Sequence, residues 1–365
     1  MSTEGLIRVL VIDDSAFSRR TITRMLETSP LVRVIDVARD GEEALRKTFE
    51  LKPDLITLDL EMPRMDGFTF LRLVMNKQPT PVMVISGRSG EQELFKALDL
   101  GAVDFIVKPT ARATLELESI QAELIRKVHA IRELRIEKVR QRISATPPVV
   151  PALWQGAAAT APTRPRVIGI GCSTGGPAAL MRIFGSLVEP PPVALIVSQH
   201  MPEGFTKGFA ERVDRLTPVR TREAADGDEP REGTMLIAPG GHHLEFEYER
   251  GRAVTRLVPK QPSDKYAPSV DRMLTSAAKH YGADLMAVIL TGMGDDGRRG
   301  VVAVKEAGGT VVAESEETAV IFGMPQQAIR TGVVDAVLPL DAMAIAIQSG
   351  VAHVKGAAPR PEGKE

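Results

Sequence analysis

Val167-Ile168-Gly169-Ile170-Gly171-Cys172-Ser173-Thr174-Gly175-Gly176 is the stretch on which the fold of this 365-residue chain turns. An apolar run, Val167 to Ile170, carries Ser173 into a turn framed by glycines. Such a turn lifts a hydroxyl clear of the backbone and lets substrate and backbone amides come close. The expectation is a strand that ends at a nucleophilic serine. Serine attacks poorly at neutral pH, so an imidazole must take its proton and a carboxylate must hold that imidazole.

Outward from this turn, apolar runs recur at Ala194 to Ser198, Leu285 to Leu290, Thr310 to Ala313 and Val333 to Leu338. Alternation with helical segments argues a doubly wound α/β domain. His200 follows the second run, in Ser198-Gln199-His200-Met201-Pro202, and Asp296 follows the third, in Thr291-Gly292-Met293-Gly294-Asp295-Asp296-Gly297. In such a sheet Ser173, His200 and Asp296 reach one edge, and the backbone amides of Thr174 and Met293 are candidates to hold an oxyanion. The chemistry implied is hydrolysis of an ester or amide through an acyl-enzyme. Met235 to Ala238, Leu244 to Tyr248 and Ala253 to Val258, separated by Gly240-Gly241 and Arg250-Gly251, signal an antiparallel hairpin insert.

Three rivals compete for the serine turn. A dinucleotide site would need a glycine where Thr174 stands and an acidic ribose partner where the second run ends in Gln199-His200. An α/β-hydrolase uses the same turn but in the order serine, acid, histidine, and the only histidine after Asp296 is His353. Cys172 is a possible nucleophile, yet neighbouring residues at a strand end face opposite sides, and the glycine framing favours Ser173. Asp295 competes with Asp296, and spacing does not choose between them. His242 and His243 read as turn or surface groups, and His129, His280 and His353 as structural or solvated ones.

The first third of the chain alternates in the same way. Runs at Ile7 to Ile12, Val32 to Val37, Leu55 to Leu58, Val82 to Ile85 and Phe105 to Val107 predict a five-stranded parallel sheet flanked by helices. Their carboxyl ends carry Asp13 and Asp14, Asp59, Ser86 and Lys108. Three converging carboxylates repel one another, so a divalent cation such as magnesium is the natural way to hold them ionised together. Lys108 and the Ser86 hydroxyl then suit an added anion. The bland alternative makes these aspartates helix caps, as with Asp14 before Ser15.

Between the two halves, Ala113 to Arg142 reads as a long amphipathic helix, and Thr146 to Pro165 is a Pro/Ala-rich, nearly uncharged extended linker. The expected division is residues 1–130, a helix exit and linker over 131–165, a second domain over 166–352, and a disordered tail over 353–365. A hydrophobic share of 43% supplies two cores, and a formal net charge of -1 offers no bulk attraction to nucleic acid or anionic lipid. Cys172 is the only cysteine, which excludes an internal disulfide and a cysteine-built zinc site and fits a reducing compartment. Gly5 to Ile12 lacks a signal-peptide cleavage site, and no run reaches the roughly 18 apolar residues of a membrane span. A cytoplasmic protein without nucleic-acid partner or direct membrane insertion is expected.

Over roughly residues 6 to 125 the pattern resembles the receiver domain of two-component response regulators. That resemblance implies that Asp59 accepts a phosphoryl group from a histidine kinase of the CheA type. It implies that Asp13, Asp14, Asp59 and the Glu61 backbone carbonyl hold magnesium, that Lys108 pairs with the phosphoryl oxygens, and that Ser86 and Phe105 transmit its arrival. From about Pro165 to Gly350 the blocks GCSTGGP, QHMP, IAPGGHH, DRML and ILTGMGDDG resemble the catalytic domain of the CheB family of chemotaxis methylesterases. This second resemblance implies a triad of Ser173, His200 and Asp296, with Asp296 preferred to Asp295 on this ground alone. It implies demethylation of glutamate methyl esters and deamidation of selected glutamines on methyl-accepting chemoreceptors, with no cofactor for hydrolysis. It also implies autoinhibition by the unmodified receiver, relieved at Asp59. The non-enzymatic alternative is a receiver-controlled adaptor with a silent α/β effector domain; no helix-turn-helix with a basic face follows the linker.

Overall fold

The computed structural model describes residues 6–87, 91–108, 114–130 and 166–349. The linker and the tail beyond residue 349 lie outside the described residues, as do the expected helix past Ala130 and His353. The chain forms two compact units, each with its own sheet.

The first unit runs β1 (Ile7–Ile12), α1 (Ala16–Leu26), β2 (Val32–Ala38), α2 (Gly41–Leu51), β3 (Leu55–Leu58), α3 (Gly67–Lys77), β4 (Val82–Ser86), α4 (Glu91–Asp99), β5 (Asp104–Val107) and α5 (Thr114–Ala130). Its sheet has the order β2-β1-β3-β4-β5, with every pair parallel. The strands read as continuous apolar runs because helices cover both faces, and Val9, Leu55, Val82 and Leu58 are fully buried. Short polar caps start the helices: Asp40 accepts from the Glu42 and Glu43 amides at 3.0 and 2.9 Å, and Asp66 from the Thr69 amide at 2.7 Å. The chain turns from β1 to β2 on one side and later lays β3 on the other. A crevice opens at the carboxyl ends of β1 and β3, where strand order reverses.

The second unit adds β6 (Val167–Cys172), α6 (Gly176–Gly185), β7 (Ala194–Gln199), α7 (Phe205–Leu216), β8 (Arg220–Glu223), β9 (Thr234–Ile237), β10 (His242–Glu249) and β11 (Arg252–Pro259). It continues with α8 (Val270–Tyr281), β12 (Leu285–Ile289), α9 (Arg298–Glu306), β13 (Thr310–Glu314), α10 (Gly323–Ile329), β14 (Ala336–Leu338) and α11 (Leu340–Ser349). Seven parallel strands lie in the order β14-β13-β12-β6-β7-β9-β8, while β10 and β11 form a separate antiparallel hairpin. Strand β6 is the switch point, with β7 on one side and β12 on the other. Its glycines have a packing purpose: a Cβ on Gly171 would overlap Val270, and one on Gly169 would lie 2.6 Å from Leu274 Cδ2. Helix α8 therefore lies flush on β6, which brings its N-terminus to the sheet rim.

Several expectations need correction. Met235 to Ala238 is not part of the hairpin, because β9 joins the parallel sheet beside β7. Strand β8, Arg-Thr-Arg-Glu, was hidden by its polarity; as the sheet edge it buries only Thr221. Val333 to Leu338 is strand only from Ala336, since Val333 and Val334 pack against the core before pairing begins. His243 is not a surface group: it lies in β10 at 1% exposure, with Nε2 2.9 Å from Asp264 Oδ2.

Candidate active site

Ser173 and His200 are the first residues beyond paired strand ends. Cys172 on β6 stands opposite Gln199 on β7, and the His200 amide donates to the Cys172 carbonyl at 3.0 Å. Adjacent strands lie about 4.8 Å apart, so the two loops leave the sheet side by side. Gln199, 2% exposed, ties them: its Nε2 donates to the Ser173 and His200 carbonyls, both at 3.0 Å. On the other side of β6 the Ser173 amide donates to the Thr291 carbonyl at 3.1 Å, and a Cβ on Gly292 would lie 2.8 Å from Ser173 Cβ. The glycine keeps that approach open. Met293, between Gly292 and Gly294 (φ +93°), therefore belongs to the loop that faces the serine turn, and Thr174 is held through its carbonyl by the Thr291 hydroxyl at 3.0 Å.

Asp296 reaches His200 from the loop after β12, with Oδ2 2.8 Å from Nε2. The same oxygen accepts from the Val270 amide at 2.8 Å, and Oδ1 accepts from the Ser269 hydroxyl at 3.0 Å and the Asp271 amide at 2.9 Å. The carboxylate thus sits on the N-terminus of α8 with four donors, where the helix dipole favours an anion. Burial alone would push Asp296 up, but the His200 hydrogen bond and charge, with the Asp271 and Val270 amides, bring it below the usual carboxylate value. An ionised Asp296 makes Nε2 a donor. Nδ1 is left as the basic nitrogen, buried and without a hydrogen-bond partner among the described residues. Asp295 points away: its side chain is 59% exposed and its Oδ1 lies 3.0 Å from Lys265 Nζ.

Asp271 returns the favour at the start of α9. Its Oδ1 accepts from the Gly297, Arg299 and Gly300 amides at 2.9, 2.9 and 2.8 Å, and Oδ2 accepts from Arg299 Nε at 3.0 Å. Asp296 caps α8 while Asp271 caps α9, and this exchange fixes the loop that carries the acid. Sequence reasoning quoted the block containing Asp271 without giving it a role; Ser269-Val270-Asp271 ahead of an apolar-periodic stretch is a helix-start signal that could have found it. Cys172 is fully buried, and burial, with the Glu314 charge adding, pushes its thiol well up, so it is no nucleophile.

In the first unit Asp13 and Asp59, both buried, meet the exposed Asp14 at the crevice; one oxygen from each lies within 4.8 Å of the others. Lys108 Nζ pairs with Asp59 Oδ2 and stands 3.0 Å from Asp13 Oδ2. Burial lifts Asp13 and Asp59 above the usual carboxylate value, with Lys108 opposing, and Asp14 lifts Asp59 further. Asp59 and Asp13 outweigh burial at Lys108 and hold its ammonium above its ordinary value. The Glu61 amide lies 3.4 Å from Asp59 Oδ1, Ser86 is buried at the end of β4 with its carbonyl accepting from the Lys108 amide, and Phe105 is buried on β5.

The comparisons agree with both units. The model of the response regulator receiver domain matches residues 9–119, and that of CheB methylesterase matches residues 168–347. A Geobacter sulfurreducens protein named protein-glutamate methylesterase/protein-glutamine glutaminase 3 is 51% identical over 92% of this chain and 95% of its own. A Myxococcus xanthus protein of the same name, numbered 1, is 49% identical over 93% of this chain and 96% of its own. One from Pyrococcus abyssi is 37% identical over 96% and 95%. Fold and matches define the class, a response regulator whose receiver is joined to an esterase effector. Within that class the chain belongs to the CheB methylesterase family.

Proposed function

We propose that this chain is a phosphorylation-activated serine hydrolase that removes methyl groups from glutamate γ-methyl esters, and amide groups from selected glutamines, on methyl-accepting chemoreceptors. The observation that carries it is the His200–Asp296 pair beside the Ser173 turn, with Nδ1 left free to accept a proton. Ser173 Oγ bonds to the ester carbonyl carbon as its proton passes to His200 Nδ1. The Thr174 and Met293 amides hold the oxyanion. The carbon–methoxy bond breaks, and Nδ1 returns the proton to the departing methanol. Water then attacks the acyl-serine, gives a proton to Nδ1, and frees the glutamate as Ser173 Oγ takes that proton back. With glutamine the leaving group is ammonia. Asp296, ionised throughout, stabilises the imidazolium formed at each step.

The receiver, residues 1–130, controls this chemistry, and residues 166–352 are the catalytic domain. An Asp59 carboxylate oxygen bonds to the phosphorus of a CheA-type kinase's phosphohistidine as the phosphorus–nitrogen bond breaks. The crevice suits magnesium: three carboxylates gather there, and two of them carry a burial cost that a dication relieves. Asp13, Asp14, Asp59 and the Glu61 carbonyl would hold it, and magnesium held there would supply positive charge to offset that of a phosphoryl group. Lys108 pairs with the new oxygens, while Ser86 and Phe105 pass the change to the unit's surface. Among the described residues no helix is long and apolar enough to cross a membrane, in keeping with an enzyme that works from the cytoplasm on receptor helices. The test is methanol release from methyl-labelled receptor membranes with and without a small phosphodonor. Asp59→Asn should keep the basal rate and lose the stimulation; stimulation of that variant would end the assignment of the switch.

A further inference from the structure

Among the described residues, His200 has one hydrogen bond on its ring, at Nε2, and none at Nδ1. A ring pinned at one nitrogen still swings about that bond, and a base that swings loses its aim. Something else must set the plane. Tyr266 stacks on the imidazole with ring centroids 4.4 Å apart and planes 9° from parallel.

The tyrosine is itself fixed. Its hydroxyl lies over the Cα of Gly294, where an added Cβ would come closer to it than real Cβ contacts allow, so the loop after β12 is shaped to seat this ring. Lys265 Nζ sits 4.9 Å from the Tyr266 ring centroid and bridges to Asp295 Oδ1 at 3.0 Å, fastening the two loops together. Upstream, Asp264 Oδ2 accepts from the Gln261 amide at 2.7 Å and lies 2.9 Å from Nε2 of the buried His243. Downstream, Ser269 and the first amides of α8 are held by Asp296. Residues 261–269 thus form a strap tied at both ends, with the aromatic ring at its middle laid on the imidazole.

We infer that Tyr266 is a positioning residue that holds the His200 imidazole in the plane from which Nδ1 receives the Ser173 proton. The inference rests on the esterase reading above, and it gives the otherwise unexplained His243–Asp264 pair a purpose as the anchor of the strap. Orientation is worth much in catalysis, since a displacement of about 1 Å costs on the order of 100-fold in rate. Stacked aromatic contacts have preferred ring orientations, so a fixed tyrosine ring favours one plane of the imidazole over others.

The experiment measures kcat and KM for methanol release from methyl-labelled receptor membranes by the full-length protein. Tyr266→Ala should lower kcat by about 10- to 100-fold with KM within about twofold. Tyr266→Phe keeps the ring and should stay within about threefold of wild type, a rescue that loss of general packing would not give. A wild-type kcat in Tyr266→Ala, a rise in KM alone, or a Tyr266→Phe as slow as Tyr266→Ala would overturn the inference. If Tyr266→Ala does not fold, Tyr266→Leu carries the test: it fills most of the ring's volume without a flat face to lay on the imidazole, and it should lower kcat by about 10-fold with KM within about twofold. A Tyr266→Leu with wild-type kcat would overturn the inference. Ser173→Ala, run alongside, separates the two claims. No methanol release by the wild type defeats the esterase reading, release that survives Ser173→Ala defeats that serine as nucleophile, and its loss beside an unimpaired Tyr266→Ala defeats only the role of the tyrosine.

Discussion

Both units gather buried aspartates at the carboxyl rim of a parallel sheet, yet they treat those charges in opposite ways. Asp296 has every acceptor position filled, by Ser269, Val270, Asp271 and His200, and is held below the usual carboxylate value. Asp13 and Asp59 share one lysine among three carboxylates and are lifted by burial. The Asp296 side of the first arrangement is in place before substrate arrives, with all its donors already aimed at the carboxylate. The second carries a burial cost on two carboxylates that the proposed magnesium would relieve, and a site left unsatisfied in this way is open to change by what binds it. Complete satisfaction suits an active site; incomplete satisfaction suits a sensor.

Breaking the finished site should cost most. Ser173→Ala is expected to lower methanol release by about 10⁶-fold and Asp296→Asn by about 10⁴-fold, both measured under saturating phosphodonor. Each variant should still accept phosphate at Asp59, read by phosphodonor-dependent changes in receiver fluorescence or NMR. Equal losses from the two would remove the distinction between a nucleophile and the group that orients its base.

The reciprocal caps come next. Asp271→Ala leaves three backbone amides at the start of α9 without their acceptor, so unfolding stability should fall by about 3 kcal/mol and kcat by about 10-fold or more. Asp271→Asn keeps a carbonyl for those amides and should lose less than half as much. A fully active Asp271→Ala would show that Asp296 keeps its place without the exchange.

The smallest effect carries the opposite sign. Asp13→Asn removes one of three crowded carboxylates, and in magnesium-free buffer it should stabilise the receiver by about 1 kcal/mol in chemical denaturation, while abolishing any protection by added magnesium. The pH dependence has the same contrast. Asp13 and Asp59 have raised folded values, so their contribution declines as pH climbs from the unfolded value near 3.8 through the folded one. Asp296 is depressed, so its contribution is full above 3.8 and is lost as pH falls through its lower folded value. Hydrogen exchange followed across this acid range should show the two rims diverging. Parallel behaviour would erase the comparison.

Both sheets were legible because buried parallel strands read as unbroken apolar runs, and their carboxyl ends are where such folds collect polar groups. That logic brings Ser173, His200 and Asp296 to one rim and Asp13, Asp14, Asp59 and Lys108 to another. It fails where side chains do not report burial. Arg220 to Glu223 looks like a loop because an edge strand needs only backbone pairing, and Met235 to Ala238 looks like part of a hairpin because its partner β7 is far away in sequence. Asp271, Tyr266 and Gln199 were missed as supports for a different reason: each acts on a group distant in the chain, through a hydrogen bond or a ring contact that has no periodic signature. Which imidazole nitrogen faces the carboxylate is likewise settled only by packing.

The burial of Cys172 has a practical consequence. The chain's one thiol is sealed beneath the serine turn and disfavoured as a thiolate, so alkylating reagents should pass the native protein by. Cysteines introduced singly on each unit would then react without background from the parent sulfur. Spin labels or dyes placed there would turn receiver-to-esterase separation, before and after phosphorylation, into a directly measurable length.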